Sequence, residues 1–461
     1  MKRDRLIVAV LFSVIVMACG ANNLTPREMC QKGFDAYDEK NYEEAFDWFL
    51  KSAEGGDTVA QYTLGLMYYN GEGTDKDLCE SYYWFQKSAE LGDSDAVECR
   101  DIVNDEIWTE IISTAPKLKI WETNSPVLRD AMSAYDSHDY AEAMKLALSV
   151  AEQGDAIAQC MIADMYYHGE GVDMDYSEAV KWYSRSAEQG FSEAQSKLGD
   201  KYYLGEGVSK NFDTAYGWFL KAAEQGDKNA QSNLGVMYIN GYGVSRSLPD
   251  AVKWFQRASL QSSAVGMFNL GLRYETGEGV TLDFERAVRL YLRAAFGGYV
   301  EAQFRVGYMY YNGEGMKQDY AEAAEWFSKA AEQGHDKSQN FMGVMHTKGL
   351  GVAQDYAEAL KWYKKSAESG NANAMCNIGL LYYNGNGIEP DFVEASKWFV
   401  KAYEGGNVPA LRVLGYIYHY GGAGVDRDLT EALKWFKLSV EHGDKESEDL
   451  IKEIEEEMKQ V

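Results

Sequence analysis

Ala230-Gln231-Ser232-Asn233-Leu234-Gly235-Val236-Met237-Tyr238, then Gly241-Tyr242-Gly243-Val244, then Ala251-Val252-Lys253-Trp254-Phe255, is the run that decides the fold. Ala230, Leu234 and Tyr238 share one face at helical spacing, so the first segment reads as an amphipathic helix. The Gly-x-Gly pair stops it, because glycine tolerates the left-handed conformation of a helix C-cap. Ser247, a good N-cap residue, opens a second helix that carries Trp254. One run therefore encodes a helix, a turn and a helix.

The run recurs along the chain. With Gly235 as position zero, its equivalents are Gly65, Ala163, Gly199, Gly271, Gly307, Gly343, Gly379 and Gly415, and from Ala163 to Gly415 every step is 36 residues. Paired glycines follow six and eight residues later, from Gly71 and Gly73 to Gly385 and Gly387, slipping by one to Gly422 and Gly424 in the last repeat. A helical glycine costs about 1 kcal/mol relative to alanine, so its retention at position zero predicts a neighbouring helix too close for a side chain.

Position twelve holds Asp77, Asp175, Asn211, Ser247, Asp283, Asp319, Asp355 and Asp391, with Asp428 equivalent after the slip, all N-cap residues. Three residues on, Glu80, Glu178, Glu322, Glu358, Glu394 and Glu431 stand where a capping-box acid reaches back to the backbone. Tryptophan then recurs from Trp84 to Trp435, with Leu290 as the substitute, followed by small residues such as Ala222 and Ala330. A large ring against a small facing residue is expected to interlock stacked helix pairs. The chain of 461 residues is too long for one ordinary core. The fold class is all-α, a right-handed α/α solenoid of stacked helix-turn-helix repeats.

These residues resemble the Sel-one-like repeat, a relative of the tetratricopeptide repeat. The resemblance implies a solenoid that binds proteins, found in bacteria in envelope assembly, signalling and host contact. Two stretches without the Gly-x-Gly loop, Met29 to Gly56 and Val127 to Gly154, resemble shorter tetratricopeptide-type units, each opening an array. The expected organisation is a signal peptide over 1–18, a tether over 19–28 and a short array over 29–92. A degenerate repeat or joint over 93–126 follows, broken by Pro116 and Pro126. One tetratricopeptide-like unit plus eight repeats then fill 127–443, and 444–461 forms an acidic capping helix.

Lys2, Arg3 and Arg5 precede an apolar run from Leu6 to Met17, the length of a signal-peptide core and too short to span a bilayer as a helix. It ends Val16-Met17-Ala18-Cys19-Gly20, which resembles the bacterial lipobox and implies lipidation of Cys19 and an outer-membrane lipoprotein facing the periplasm or the cell surface. Cleavage elsewhere and a retained anchor are the other readings. A net charge of −27 repels nucleic acid. Cys30, Cys79, Cys99, Cys160 and Cys376, the remaining cysteines, are odd in number and irregularly spaced, so they specify neither a disulfide framework nor a zinc site.

No catalytic constellation emerges. No P-loop lysine follows the Gly-x-Gly turns, the six histidines do not fall at metal-ligand spacing, and there is no Ser-x-x-Lys. No cofactor is indicated. The function expected is a non-enzymatic protein-interaction scaffold or adaptor at the cell envelope. A cell-wall or β-lactam hydrolase and a luminal adaptor of a eukaryotic secretory compartment are the alternatives; Asn23-Leu24-Thr25 is a glycan acceptor on the last.

Positions minus two and plus one lie roughly opposite the packed face of the first helix and vary from repeat to repeat. Toward the C-terminal half they turn apolar, which supplies anchors for a partner. Arg305, Tyr308, Phe341, Val344, Asn377 and Leu380 are the expected centre of a protein or peptide groove on the concave face. The competing reading is that plus one packs on the next repeat.

Overall fold

The N-cap residues at position twelve do what their chemistry demands. From Asp77 to Asp428 each side chain accepts a backbone N–H of the helix it opens. The glutamates three residues later differ from expectation: Glu178, Glu358, Glu394 and Glu431 reach forward to Lys181, Lys361, Lys397 and Lys434, at 2.7–3.0 Å. A lysine one turn ahead is a stronger partner than a neutral amide. The reciprocal capping box occurs at Thr25, whose hydroxyl and Glu28 close on each other's backbone.

The computed structural model describes residues 24–114 and 125–460, which form two compact units divided after Ser113. In the first unit α1 (Pro26–Asp38) pairs with α2 (Tyr42–Glu54), α3 (Thr58–Asn70) with α4 (Leu78–Glu90), and α5 (Ser94–Thr114) follows them. The helix starts at Pro26, so the last three residues expected in a tether are already helical. The described residues of the segment over 93–126, expected as a degenerate repeat or joint, form the one long helix α5 before Ser125 and Pro126. Pro126 opens the next helix at its first position, where a missing N–H costs nothing. Residues 1–18, Cys19 and Pro116 lie outside the described residues.

The second unit begins with α6 (Pro126–Asp136) and α7 (Tyr140–Ala151). Eight pairs follow: α8 (Ala156–His168) and α9 (Tyr176–Glu188), α10 (Ser192–Leu204) and α11 (Phe212–Glu224), α12 (Lys228–Asn240) and α13 (Leu248–Leu260), α14 (Ala264–Thr276) and α15 (Phe284–Phe296). The series continues with α16 (Val300–Asn312) and α17 (Tyr320–Glu332), α18 (Asp336–Lys348) and α19 (Tyr356–Glu368), α20 (Ala372–Asn384) and α21 (Phe392–Glu404), α22 (Ala410–Tyr420) and α23 (Leu429–Glu441). The single helix α24 (Glu446–Gln460) closes the unit. Within this unit each helix packs on its neighbours in sequence, and first helices of consecutive repeats also meet, as α10 with α12, α12 with α14 and α18 with α20.

Both glycine classes are explained by close approach. A Cβ on Gly199 would stand 2.7 Å from the Phe219 ring, and one on Gly307 2.8 Å from that of Phe327. The ring that needs position zero bare is the phenylalanine or tyrosine after the tryptophan, and Tyr291 after Leu290 where the tryptophan is lost. Tryptophan instead lies beside a cation three residues ahead, as Trp218 under Lys221 at 4.0 Å and Trp362 under Lys365 at 4.3 Å. The second loop glycine has positive φ, and on Gly171 a Cβ would meet the Tyr140 carbonyl oxygen at 2.6 Å. Each loop therefore seats on the start of the preceding second helix.

Buried glutamines stitch the repeats. Gln195, Gln231 and Gln303 each donate Nε2 to the carbonyl of Ala187, Ala223 or Ala295 near the end of the preceding second helix. Their Oε1 atoms accept from Gln225, Gln261 and Gln333, thirty residues on, at 2.7–2.8 Å. The amide so spans two repeats and gives a second hydrogen bond to a helix-end carbonyl that already accepts the N–H of Gly190, Gly226 or Gly298.

Candidate partner-binding face

Position minus two of one first helix and position plus one of the preceding one are 33 residues apart, and the structure joins them along a seam. Lys197 meets Asp164 at 2.6 Å, Asn233 donates to Asp200 at 2.9 Å, and the Tyr308 and Phe341 rings meet edge to face at 5.9 Å. Leu380 and Val413 share one apolar cluster. Four of the seven such steps in the second unit are therefore matched pairs, polar or charged at one end and apolar at the other, whereas Asn269, Arg305 and Asn377 at the remaining steps bond to Val265, to Glu275 and Glu314, and to Asn340.

All six residues expected to form the groove are half-buried along this seam. Phe341 stacks on Phe327 at 4.7 Å, the same ring that lies over Gly307. Arg305 is drawn to Glu275 and, at 3.1 Å, to Glu314; Glu275 also accepts the Tyr291 hydroxyl. Asn377 donates to Asn340 at 2.9 Å. Val344 packs against the cluster around Tyr363, and Leu380 against that around Phe399. Each of the six contributes to repeat stacking and still presents an edge to solvent.

A different part of the seam holds a polar cleft of about 270 Å³, lined by Asp164, Tyr167, His168, Lys197, Asp200 and Lys201 from α8 and α10, with Tyr135 and Tyr183 at its walls. Lys201 is 6% exposed, at the core position that methionine fills in Met67, Met165, Met237, Met309 and Met345. Its ammonium reaches Glu206 at 2.7 Å and lies 3.4 Å from the Tyr167 ring. That hydrogen bond holds Glu206 below its usual range. Lys197 binds Asp164 and, at 3.1 Å, Glu193; Asp164 also accepts the Tyr183 hydroxyl, and Glu170 that of Tyr135.

Asp200 differs from the other carboxylates here. Burial pushes its pKa up to about 6, against the pull of Lys201, and its one hydrogen bond among the described residues is the Asn233 amide. Sequence reading passed over this cleft, whose signal was small: lysine at a position that methionine fills in five repeats, but that arginine fills at Arg273, paired with Glu278 as Lys201 is with Glu206. Among the described residues no group of three His, Cys, Asp or Glu side chains could hold a metal ion.

The repeat geometry has named relatives. The Sel1 repeat profile matches residues 22–57 and 58–93, then without a break from 156–191 to 372–407, and finally 408–444. The chain belongs to the Sel1 repeat family. This profile takes 22–57 as a full repeat, whereas the pair α6–α7 falls outside it.

Among solved structures, an SLR-fold protective antigen of uropathogenic Escherichia coli is 30% identical, over 89% of this chain and 90% of its own, with a TM-score of 0.44. A Sel1 repeat protein of Oxalobacter formigenes is 32% identical over 53% of this chain and 99% of its own, TM-score 0.47. A Klebsiella pneumoniae Sel1 repeat protein is 24% identical over 43% of this chain and 97% of its own, TM-score 0.32. No curated protein matches the chain. Sel1 repeat proteins are generally non-catalytic scaffolds for protein interactions.

Proposed function

We propose that this Sel1 repeat protein is a non-enzymatic scaffold at the cell envelope that holds a protein or peptide partner on the face lined by its first helices. The observation that carries the reading is the contrast between frame and seam. Caps, loop glycines and the glutamine stitches repeat with little change, whereas the minus-two and plus-one pairs run from Asp164–Lys197 to Leu380–Val413. Structure alone needs one good pair repeated; a face that must recognise something needs a sequence of different ones.

The seam around Arg305, Tyr308, Phe341, Val344, Asn377 and Leu380 is the apolar part of this groove. Half-buried rings held by neighbours lose little freedom on binding, which suits them as anchors. A photo-crosslinking amino acid at Tyr308 or Leu380 should capture a discrete partner, and one at Lys361 or Lys397 on the second helices should not. Equal capture from both faces would defeat the reading.

The envelope address rests on the sequence before the described residues: Lys2, Arg3 and Arg5, the apolar run to Met17, and Cys19. No described helix is long and apolar enough to cross a membrane, so an acyl chain at Cys19 is the proposed means of attachment. Cells fed a clickable palmitate should label wild type and not Cys19→Ala. Labelling that survives the substitution would refute lipidation there.

A further inference from the structure

We propose that the cleft between α8 and α10 receives a lysine or arginine side chain of the protein partner, with Asp200 as the receiving carboxylate. The inference deepens the scaffold reading and rests on it. Carboxylates and cations are unequal in number here: Asp164, Glu170, Glu193, Asp200 and Glu206 face or flank the cleft, against Lys197 and Lys201. Both lysines are already committed, Lys197 between Asp164 and Glu193 and Lys201 to Glu206. Neither is left to attract an anion.

Asp200 is the member of the set that no cation touches among the described residues. A carboxylate accepts at both oxygens, and Asp200 has one neutral hydrogen bond, Asn233 on Oδ1. Elsewhere on the seam the equivalent carboxylate is neutralised within the protein: Asp164, at the same position one repeat earlier, holds Lys197. At Asp200 the residue that would do so is asparagine, so the charge is left for a ligand. The cleft itself supplies the second mark: Lys201, held to Glu206 as Arg273 is to Glu278 two repeats on, lies over the Tyr167 ring and gives Asp200 a polar wall.

The recognition is electrostatic and local. A guanidinium or ammonium entering the cleft would give Asp200 a charge-assisted hydrogen bond in a partly desolvated place, where such bonds are strongest. The aromatic walls Tyr135, Tyr167 and Tyr183 suit the alkyl stem of either side chain. An anionic or purely apolar ligand would leave the half-buried Asp200 without a cation.

The test uses the full chain and three capped peptides that differ at one residue: arginine, lysine or the neutral isostere citrulline. Saturation-transfer NMR should show the two cationic peptides binding and citrulline about tenfold weaker, the loss of one charged partner. Asp200→Asn should weaken the arginine peptide by a similar factor. Glu448→Gln, an exposed carboxylate on the last helix, should leave affinity unchanged and so controls for the overall acidity of the protein. Circular dichroism of Asp200→Asn checks that it is folded. Equal loss in both variants, or citrulline binding as well as arginine, would overturn the proposal. Failure of every peptide in a protein that still crosslinks a partner through Tyr308 would refute the cleft and leave the scaffold standing.

Discussion

Ser369 stands thirty residues after Gln339, where Gln333 stands after Gln303, and the buried Oε1 of Gln339 has no hydrogen-bond partner among the described residues. The glutamine stitch is broken at this step for want of one donor. Gln61 repeats the defect, with Leu91 in the donor place. Where the receiving glutamine is itself Met267 or Met375, the later residue is Gly297 or Gly405, and no orphan arises. Ser369→Gln should complete the stitch and add about 1 kcal/mol locally, read as roughly fivefold slower amide exchange in α18 and α19. Unchanged exchange there would show that the orphan atom is satisfied some other way.

The two kinds of helical glycine predict opposite outcomes. Gly199→Ala would place a Cβ at 2.7 Å from the Phe219 ring, which is 1% exposed and has nowhere to move. It should cost about 1–3 kcal/mol, the range for overpacking a tight core. Gly217, in the middle of α11, has nothing within 4 Å of the place where a Cβ would stand. Gly217→Ala should therefore stabilise by about 1 kcal/mol through helix propensity alone. Denaturant melts of the two variants separate the cases, and the same sign for both would contradict the packing described.

Much of this was legible because the repeat supplies its own alignment. Helix ends followed from Asp319 or Gly313 by local chemistry, which needs no knowledge of what lies across the interface. The choice between Trp326 and Phe327 as the ring over Gly307 did not, since one residue rotates a helix by about 100° and tertiary packing sets that rotation. Tyr291 beside Leu290 was the available hint: the ring persists where the tryptophan is lost. The seam was hidden for a related reason. Asp164 and Lys197 look like unrelated surface residues until α8 and α10 are known to abut, after which the 33-residue offset turns variation into pairing.

Asp200 carries a pH signature whose sign is opposite to that of a salt-bridged carboxylate. Its pKa rises from 3.8 to about 6 on folding, so the folded state holds the proton more tightly. Stability from this group is greatest below pH about 4, falls as pH rises through the interval to about 6, and stays lowest above it. Asp200→Asn removes the cost. It should be more stable than wild type by on the order of 2 kcal/mol at pH about 8 and nearly equal to it at pH about 4. A destabilised variant at high pH would mean that the carboxylate has a cationic partner in the folded protein besides the Asn233 amide. Gained stability with lost arginine binding would instead be the trade expected of a site kept charged for a ligand.

The last helix tests whether stability in this array is local. Internal second helices are covered by the next first helix; α23 has none, and α24 takes that place with Ile454 fully buried against Ala432 and Phe436. Around that contact Arg427 pairs with Glu457, and Lys437 with Glu455 at 3.0 Å. Ile454→Ala should cost about 3 kcal/mol, as buried isoleucine truncations do. Because each repeat touches its neighbours alone, the cost should fall on the C-terminal repeats. Amide exchange should accelerate in α22 and α23 and stay unchanged in α8 and α9. Uniform acceleration along the second unit would mean that the unit unfolds as one cooperative body, and partner binding at one end could then be felt at the other.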